Sequence, residues 1–362
     1  MTGNSYRNLL ALASCLDGKP PKEINWDELI ALANNSLTIS FLALATAKFP
    51  ETVGVPEDVR KYLAVLYERN TQRNLRLKTQ LKEAVNCLNR VDIEPIVIKG
   101  TAILLARAPS EIGARILTDL DILVRPADMP GAITALQSIG YEIQFTAGDG
   151  SWPGNPKFHL PAVLVRPTDV GSIDLQCRPK GPISFSDIER LYRHSSRTAV
   201  DGGVVHIPSA LAQIVFLILH DQFQDGDYWR GLVDLRHLFD IANIVRSNDV
   251  RWETLRSLFA DGYERNAADT QILTAATLFR IDNATKLTFG KLPHLQLARR
   301  KMQIERQYLA VPLTLLTLLT EVAHYSSWDR YGGEPYPSRW QEAKRKAREL
   351  RRIFRPKPLG KV

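Results

Sequence analysis

Between Asp92 and Cys177 the apolar pattern of this chain shortens abruptly, and that change of period constrains the fold more than any other feature. Over residues 56–89, Val59, Leu63, Leu66, Leu75, Leu77, Leu81, Ala84 and Leu88 recur at helical spacing. Pro56, Glu57 and Asp58 suit the first turn of that helix, and the charged residues between the apolar ones mark a solvated face. Asn25 is placed to cap an earlier helix through Trp26, Leu29, Ile30 and Leu32. From Asp92 onward short β-branched runs take over. They predict strands at 93–98, 116–124, 141–145, 158–166 and 172–177. Lys99-Gly100-Thr101 reads as a turn after the first strand, 102–108 as a short helix, and Pro126 to Gly140 as another. Residues 146–157, rich in Gly, Pro and Asn, read as an exposed loop. The helical period returns at Ser209, with helices expected at 211–220, 232–245, 252–259, 267–279, 309–324 and 339–354.

Strand, helix, strand, helix and three further strands in about 90 residues predict an α+β fold. The expectation is a small mixed sheet with helices on one face, flanked by N-terminal and C-terminal helical regions. The corresponding division is 1–90, helical; 91–205, the sheet core; 206–338, helical; and 339–362, a basic tail.

Composition narrows the classes. Apolar residues make up 44% of the 362 and charged residues 24%, enough for a buried core and too few charges for a disordered chain. The three cysteines, Cys15, Cys87 and Cys177, form no CxxC pair and argue against a cysteine zinc site or a disulfide framework. The N-terminus has no basic stretch leading into a long apolar one, and 214–219 and 308–320 fall short of the roughly 20 residues a membrane span needs. A cytoplasmic protein with no transmembrane segment is expected. The formal charge of +8 has one source: residues 339–362 hold ten of the 47 basic side chains and two of the 39 acidic ones. The rest of the chain is balanced, so the tail alone offers a charge-driven route to nucleic acid, a membrane surface or an acidic partner. A solvated terminal helix is the plainer reading of the same residues.

Asp119-Leu120-Asp121 carries the candidate chemistry. Side chains two apart on a strand share a face, with α-carbons about 6.5–7 Å apart. Both carboxylates can therefore reach a pair of metal ions about 3.5–4 Å apart. Asp174, between Ile173 and Leu175 in a later strand, adds a third carboxylate at a rigid position. Three carboxylates suit Mg²⁺ or Mn²⁺ rather than Zn²⁺. Alone, such a pair is usually the polar face of an edge strand. The preceding Lys99-Gly100-Thr101 changes the weighing, because glycine lets a phosphate approach the backbone, a helix N-terminus favours an anion, and Lys99 adds a charge.

In this order the segment IVIKGTAILLA…GARILTDLDILVRPAD…LQSIGYEI…SIDLQC resembles the uncharacterised nucleotidyltransferase family of the polymerase-β superfamily. Gly100-Thr101, Asp119-Leu120-Asp121 and Ile173-Asp174-Leu175 match the three parts of the superfamily pattern, and Lys99 and Arg115 match features of the family. His220, Trp229-Arg230 and Asp234-Leu235 resemble a weaker downstream motif. The gap from Gly100 to Asp119 is longer than in the common pattern, so the connection around 109–114 is expected to be enlarged. The resemblance implies transfer of a nucleoside monophosphate from a nucleoside triphosphate to a hydroxyl acceptor. Two Mg²⁺ or Mn²⁺ ions would be held by Asp119, Asp121 and Asp174. Lys99, Gly100, Thr101, Arg115 and Arg230 would bind the nucleotide. The acceptor could be a small molecule, a peptide, a protein or an RNA end. Two other classes compete: a nucleotide-binding regulatory protein with a degenerate core, and a toxin that modifies tRNA.

Other polar residues have plainer readings. His159 reads as a structural histidine and His220 as a helix-end one. Arg230 and Asp234, four apart on an expected helix, read as a local ion pair. Solvation suffices for Asp225 and Asp227 beside Gly226, and Trp152 lies in the exposed loop.

Overall fold

The computed structural model describes residues 6–145, 162–178, 187–281, 287–320 and 357–362. Fourteen helices are named among them. They are α1 (Tyr6–Leu16), α2 (Trp26–Asn35), α3 (Ile39–Ala47), α4 (Glu57–Asn89), α5 (Lys99–Ala106), α6 (Met129–Ser138), α7 (Ile188–Arg193), α8 (Ala210–Ile218), α9 (Asp227–Arg230), α10 (Leu235–Ser247), α11 (Trp252–Ser257), α12 (Tyr263–Phe279), α13 (Lys291–Glu305) and α14 (Ala310–Thr320). The strands are β1 (Ile96–Val97), β2 (Asp119–Leu123), β3 (Glu142–Phe145), β4 (Ala162–Val165), β5 (Ser172–Gln176), β6 (Ser195–Val200) and β7 (Gly203–Pro208). The chain divides into two compact units. One, the sheet unit, comprises Ala64–Lys180 and Phe185–Phe216; the other, the helical unit, takes the chain before Ala64 and from Leu217 on.

The sheet unit carries one mixed sheet in the order β3-β4-β5-β2-β1-β7-β6. β2 runs parallel to β5 and antiparallel to β1, which runs parallel to β7. The α+β class expected from the sequence is observed. Along β2 the strand period separates Leu120 and Ile122 from Asp119, Asp121 and Leu123. Leu77, Leu81, Ala84, Val85 and Leu88 of α4, with Ala132, Ile133 and Leu136 of α6, pack on the face of Leu120, Ile122, Ile173 and Leu175. Helices were expected on that face alone. On the opposite face, Ile188 and Tyr192 of α7 and Phe216 of α8 cover Ile96, Ile98 and Leu123.

The hairpin β6–β7 was absent from the expected strands. Its connection is Asp201-Gly202, with φ of 34° and 87°. Positive φ at both central residues matches the twist of a two-residue hairpin, and Asp-Gly is a favoured pair for it. This turn chemistry outweighed the polar composition of Ser195–Val200, which buries only Val200. The first expected strand shrinks to Ile96–Val97. The expected strand at 158–166 is described only as Ala162–Val165, and His159 and Trp152 lie outside the described residues.

Helix α4 does more than cover the sheet. Amide side chains on it bind the backbone of segments far away in sequence. Asn70 Nδ2 donates to the carbonyls of Gly113 (2.7 Å) and Arg115 (3.0 Å). Asn74 Nδ2 donates to those of Ile112 (2.6 Å) and Arg115 (2.8 Å). Arg73 Nε donates to Leu117 O (3.0 Å), and Gln80 Nε2 to Gly171 O (2.8 Å). The connection from α5 to β2 runs over residues 107–118 and includes a 3₁₀ turn at Pro109–Glu111. Its irregular backbone is buried only because these side chains satisfy it.

In the helical unit α1 packs against α10, α12 and α13, so the first and last helices share one core. Arg230 and Asp234 do not lie on a common helix. Gly231, at φ 66°, closes α9, and Asp234 caps α10 by accepting the His237 N–H at 3.0 Å. Asp227 is wholly buried rather than solvated, and Asp225 is half-buried. Lys361, counted with the basic tail, is 4% exposed. Its ammonium reaches Asp221 (3.0 Å), Asp225 (3.1 Å) and Asp227 (2.7 Å).

Asn74→Ala strips two buried carbonyls of a donor. It is expected to lower stability by about 1–3 kcal/mol, read from urea unfolding, because Ile112 O loses this donor and Arg115 O keeps only that of Asn70.

Candidate active site

The parallel pairing of β2 with β5 sets Asp119 beside Ser172 and Asp121 beside Asp174. Neighbouring strands lie about 4.8 Å apart, so Asp121 and Asp174 bring two carboxylates together and Asp119 adds a third on the same face. Asp121 is 5% exposed; Asp119 and Asp174 are half-buried. Thr118 Oγ1 donates to Asp119 Oδ1 at 3.1 Å.

Asp121 is held from three sides. Its N–H donates to Thr101 Oγ1 (2.8 Å), while Lys99 Nζ (2.8 Å) and Gln176 Nε2 (3.0 Å) donate to its Oδ1. Lys99 and Thr101 do not form a separate turn. They open α5 directly after Ile98, with Lys99 at φ 49°. A non-glycine residue in the left-handed region is strained, and this strain sits at the residue whose ammonium meets the carboxylates. Thr101 is fully buried and its hydroxyl is committed to the strand carrying Asp121.

Gly100 is closely packed, and an added β-carbon would push both the Leu117 and Arg115 side chains aside. A β-carbon there would stand 2.5 Å from Arg115 Nη1. Arg115, itself 4% exposed, therefore brings its guanidinium against the first turn of α5. The structure thus gathers Asp119, Asp121, Asp174, Lys99, Gly100, Thr101 and Arg115 into one region of the sheet unit. Arg230 stands in the helical unit, at the end of α9, where its carbonyl accepts from Gln303 Nε2 at 3.1 Å.

Sequence reasoning passed over Gln176. It lies two residues after Asp174 and so shares its face. That period-two spacing was the available signal.

Burial pushes the Asp174 carboxyl up to about 7, and the charges of Asp119 and Asp121 add to the shift. Lys99 and the Ser172 hydroxyl oppose it. Burial works against the Lys99 ammonium, yet Asp121 first, then Asp119 and Asp174, hold its pKa above the ordinary value. Three carboxylates face the Lys99 ammonium here, with the Arg115 guanidinium in the same region. A set of hard carboxylate oxygen donors fits divalent Mg²⁺ or Mn²⁺.

A seven-stranded mixed sheet with flanking helices and these carboxylates has the architecture of a nucleotidyltransferase core. The chain belongs to a family described as uncharacterised nucleotidyltransferase, whose family model matches residues 22–280. No curated protein and no solved structure matches the chain. Among the described residues no helix is long and apolar enough to cross a membrane.

The Asp174 shift has a sign that can be measured. A metal ion held by Asp174 would compete with its proton, so Mn²⁺ affinity is expected to rise with pH through about 7. Lys99→Met removes a charge that lowers this pKa and should move the midpoint to higher pH, as read by Mn²⁺ titration across a pH series. Without metal, the folded state holds this proton more tightly than the unfolded chain. The carboxyl's contribution to stability therefore falls as pH rises from about 4 to about 7.

Proposed function

We propose that this chain is a metal-dependent nucleotidyltransferase that moves a nucleoside monophosphate from a nucleoside triphosphate to a hydroxyl of a small molecule, peptide or protein. The observation that carries the reading is the register of β2 on β5, which sets Asp121 beside Asp174 with Asp119 on the same face. Asp119, Asp121 and Asp174 would hold two Mg²⁺ or Mn²⁺ ions. When bound, such ions neutralise triphosphate charge and make an acceptor hydroxyl more acidic.

The chain's own residues do the rest. Lys99 and Arg115 bring cationic groups to the start of α5, where backbone N–H groups favour a phosphate. Gly100 keeps that turn open to Arg115. Thr101 and Gln176 are positioning residues that fix the backbone and carboxylate of Asp121. In the reaction the acceptor oxygen bonds to the α-phosphorus, the α–β phosphoanhydride breaks, and pyrophosphate leaves with the bonding electrons. The acceptor proton passes to solvent. Three intact carboxylates favour this reading over a regulatory protein with a degenerate core.

Incubating the full chain with Mg²⁺ or Mn²⁺ and α-labelled nucleoside triphosphates, with the protein itself and candidate small molecules, peptides and RNA as acceptors, tests the reading. Label transfer with pyrophosphate release is expected. Asp121→Asn should reduce both by at least about 10²-fold, with the melting temperature little changed. Full activity in Asp121→Asn would sink the proposed mechanism.

A further inference from the structure

The helical unit buries a concentration of charge of its own. The π-helical segment Leu219–Gln224 supplies His220 and Asp221. The turn into α9 supplies Asp225 and Asp227, and the start of α10 supplies Asp234 and His237. Four carboxylates converge on Lys361 Nζ, at 3.0 Å (Asp221), 3.1 Å (Asp225), 2.7 Å (Asp227) and 3.5 Å (Asp234). Two imidazoles line the same socket. His237 Nδ1 is 2.7 Å and His220 Nδ1 3.3 Å from Asp221 Oδ1. The donor atoms of His220, Asp221 and His237 all lie within 4.8 Å of one another. Asp227 gives one oxygen to Lys361, while its other oxygen, Oδ1, is buried with no hydrogen-bond partner among the described residues. One ammonium facing four carboxylates leaves a buried acceptor unsatisfied, which is costly unless a stronger cation can take the position.

We propose that this socket is a binding site for a divalent transition-metal ion, with His220, Asp221 and His237 as ligands and Lys361 as the cation that takes the ion's place when none is bound. Two imidazole nitrogens and one carboxylate select zinc, cobalt, iron or manganese over magnesium. Asp221 is pre-set for the role, because its second oxygen is held by Gln271 Nε2 at 2.7 Å. The two imidazoles and the ammonium all contact Asp221 Oδ1, so a dication on that oxygen repels Lys361 and the two exchange. Lys361 stands on a short segment that can leave with it. That segment is held by Val233 N–H to Val362 O (3.1 Å), Val362 N–H to Val233 O (2.8 Å) and Gly360 N–H to Asn35 O (2.9 Å). His220 and Asp225, with side chains 20% and 29% exposed, are the least buried members and form the way in. The six socket residues lie inside the span matched by the family, 22–280, and Lys361 lies beyond it, so the site and its lock are separable parts of the chain.

The test uses the full chain carrying Asp121→Asn, which disables the carboxylate site on the sheet, titrated with Co²⁺. Binding is followed by visible absorption and by thermal unfolding. Adding Lys361→Met should create one Co²⁺ site bound roughly tenfold or more tightly than with Lys361 present, and Co²⁺ should raise its melting temperature. Adding His237→Ala should weaken that binding by a similar factor, roughly tenfold or more. With Lys361 in place, saturating Co²⁺ should speed amide exchange at Gly360 and Val362. Co²⁺ binding that is no tighter in Lys361→Met, or indifferent to His237→Ala, overturns the proposal. If Lys361→Met does not fold even with Co²⁺, the exchange measurement decides, and unchanged exchange at Gly360 and Val362 overturns it.

Discussion

Both strands that carry the carboxylates begin where helix α4 binds their backbone. Asn70, Arg73 and Asn74 donate to the carbonyls of Gly113, Ile112, Arg115 and Leu117 just before β2. Gln80 donates to Gly171 just before β5. Further along, Asn89 binds Val204 at the start of β7, donating at 3.1 Å and accepting at 2.6 Å. Hydrophobic packing of α4 on the sheet is non-directional and tolerates sliding. These directional bonds, made where water is excluded, pin the register. An irregular connection can then run under a helix, and Arg115 reaches its place against Gly100.

The site gathers three carboxylates around one buried lysine. Asp121 and Asp174 are neighbours because the strands are parallel and in register, and one ammonium, that of Lys99, stands among three carboxylates. Lys99 holds a strained backbone at φ 49°, and burial, with the charges of Asp119 and Asp121, raises Asp174 to about 7. Positioning falls to neutral groups, Thr101 and Gln176, which orient Asp121 without cancelling its charge. The helical unit handles the same problem differently: Lys361, from the end of the chain, is carried into the carboxylates.

Much of the sheet was legible because its period is local. Leu120, Ile122, Ile173 and Leu175 alternate with the aspartates, and that alternation is written in neighbouring residues. The β6–β7 hairpin was missed because Ser195–Val200 lacks a strong apolar pattern, although Asp201-Gly202 announced its turn. Gln176 was missed because a glutamine on a strand has no chemical signature until its partner is known. Asp225 and Asp227 were read as solvated because polar residues beside a glycine usually are, and nothing nearby in sequence names the lysine that buries them.

The sequence by itself determined the α+β class, the strands bearing Asp119, Asp121 and Asp174, and the place of Lys99-Gly100-Thr101 between the first strand and a helix. These follow from apolar period and from residue chemistry within a few positions. Tertiary structure alone decided that Asp121 faces Asp174, that Thr101 and Gln176 hold it, that α4 feeds its amides to a connection some forty residues away, as from Asn74 to Ile112, and that Lys361 is buried. The reason is physical: hydrogen bonds and buried charges are satisfied by whatever lies within about 3 Å in space, and distance along the chain carries no record of that.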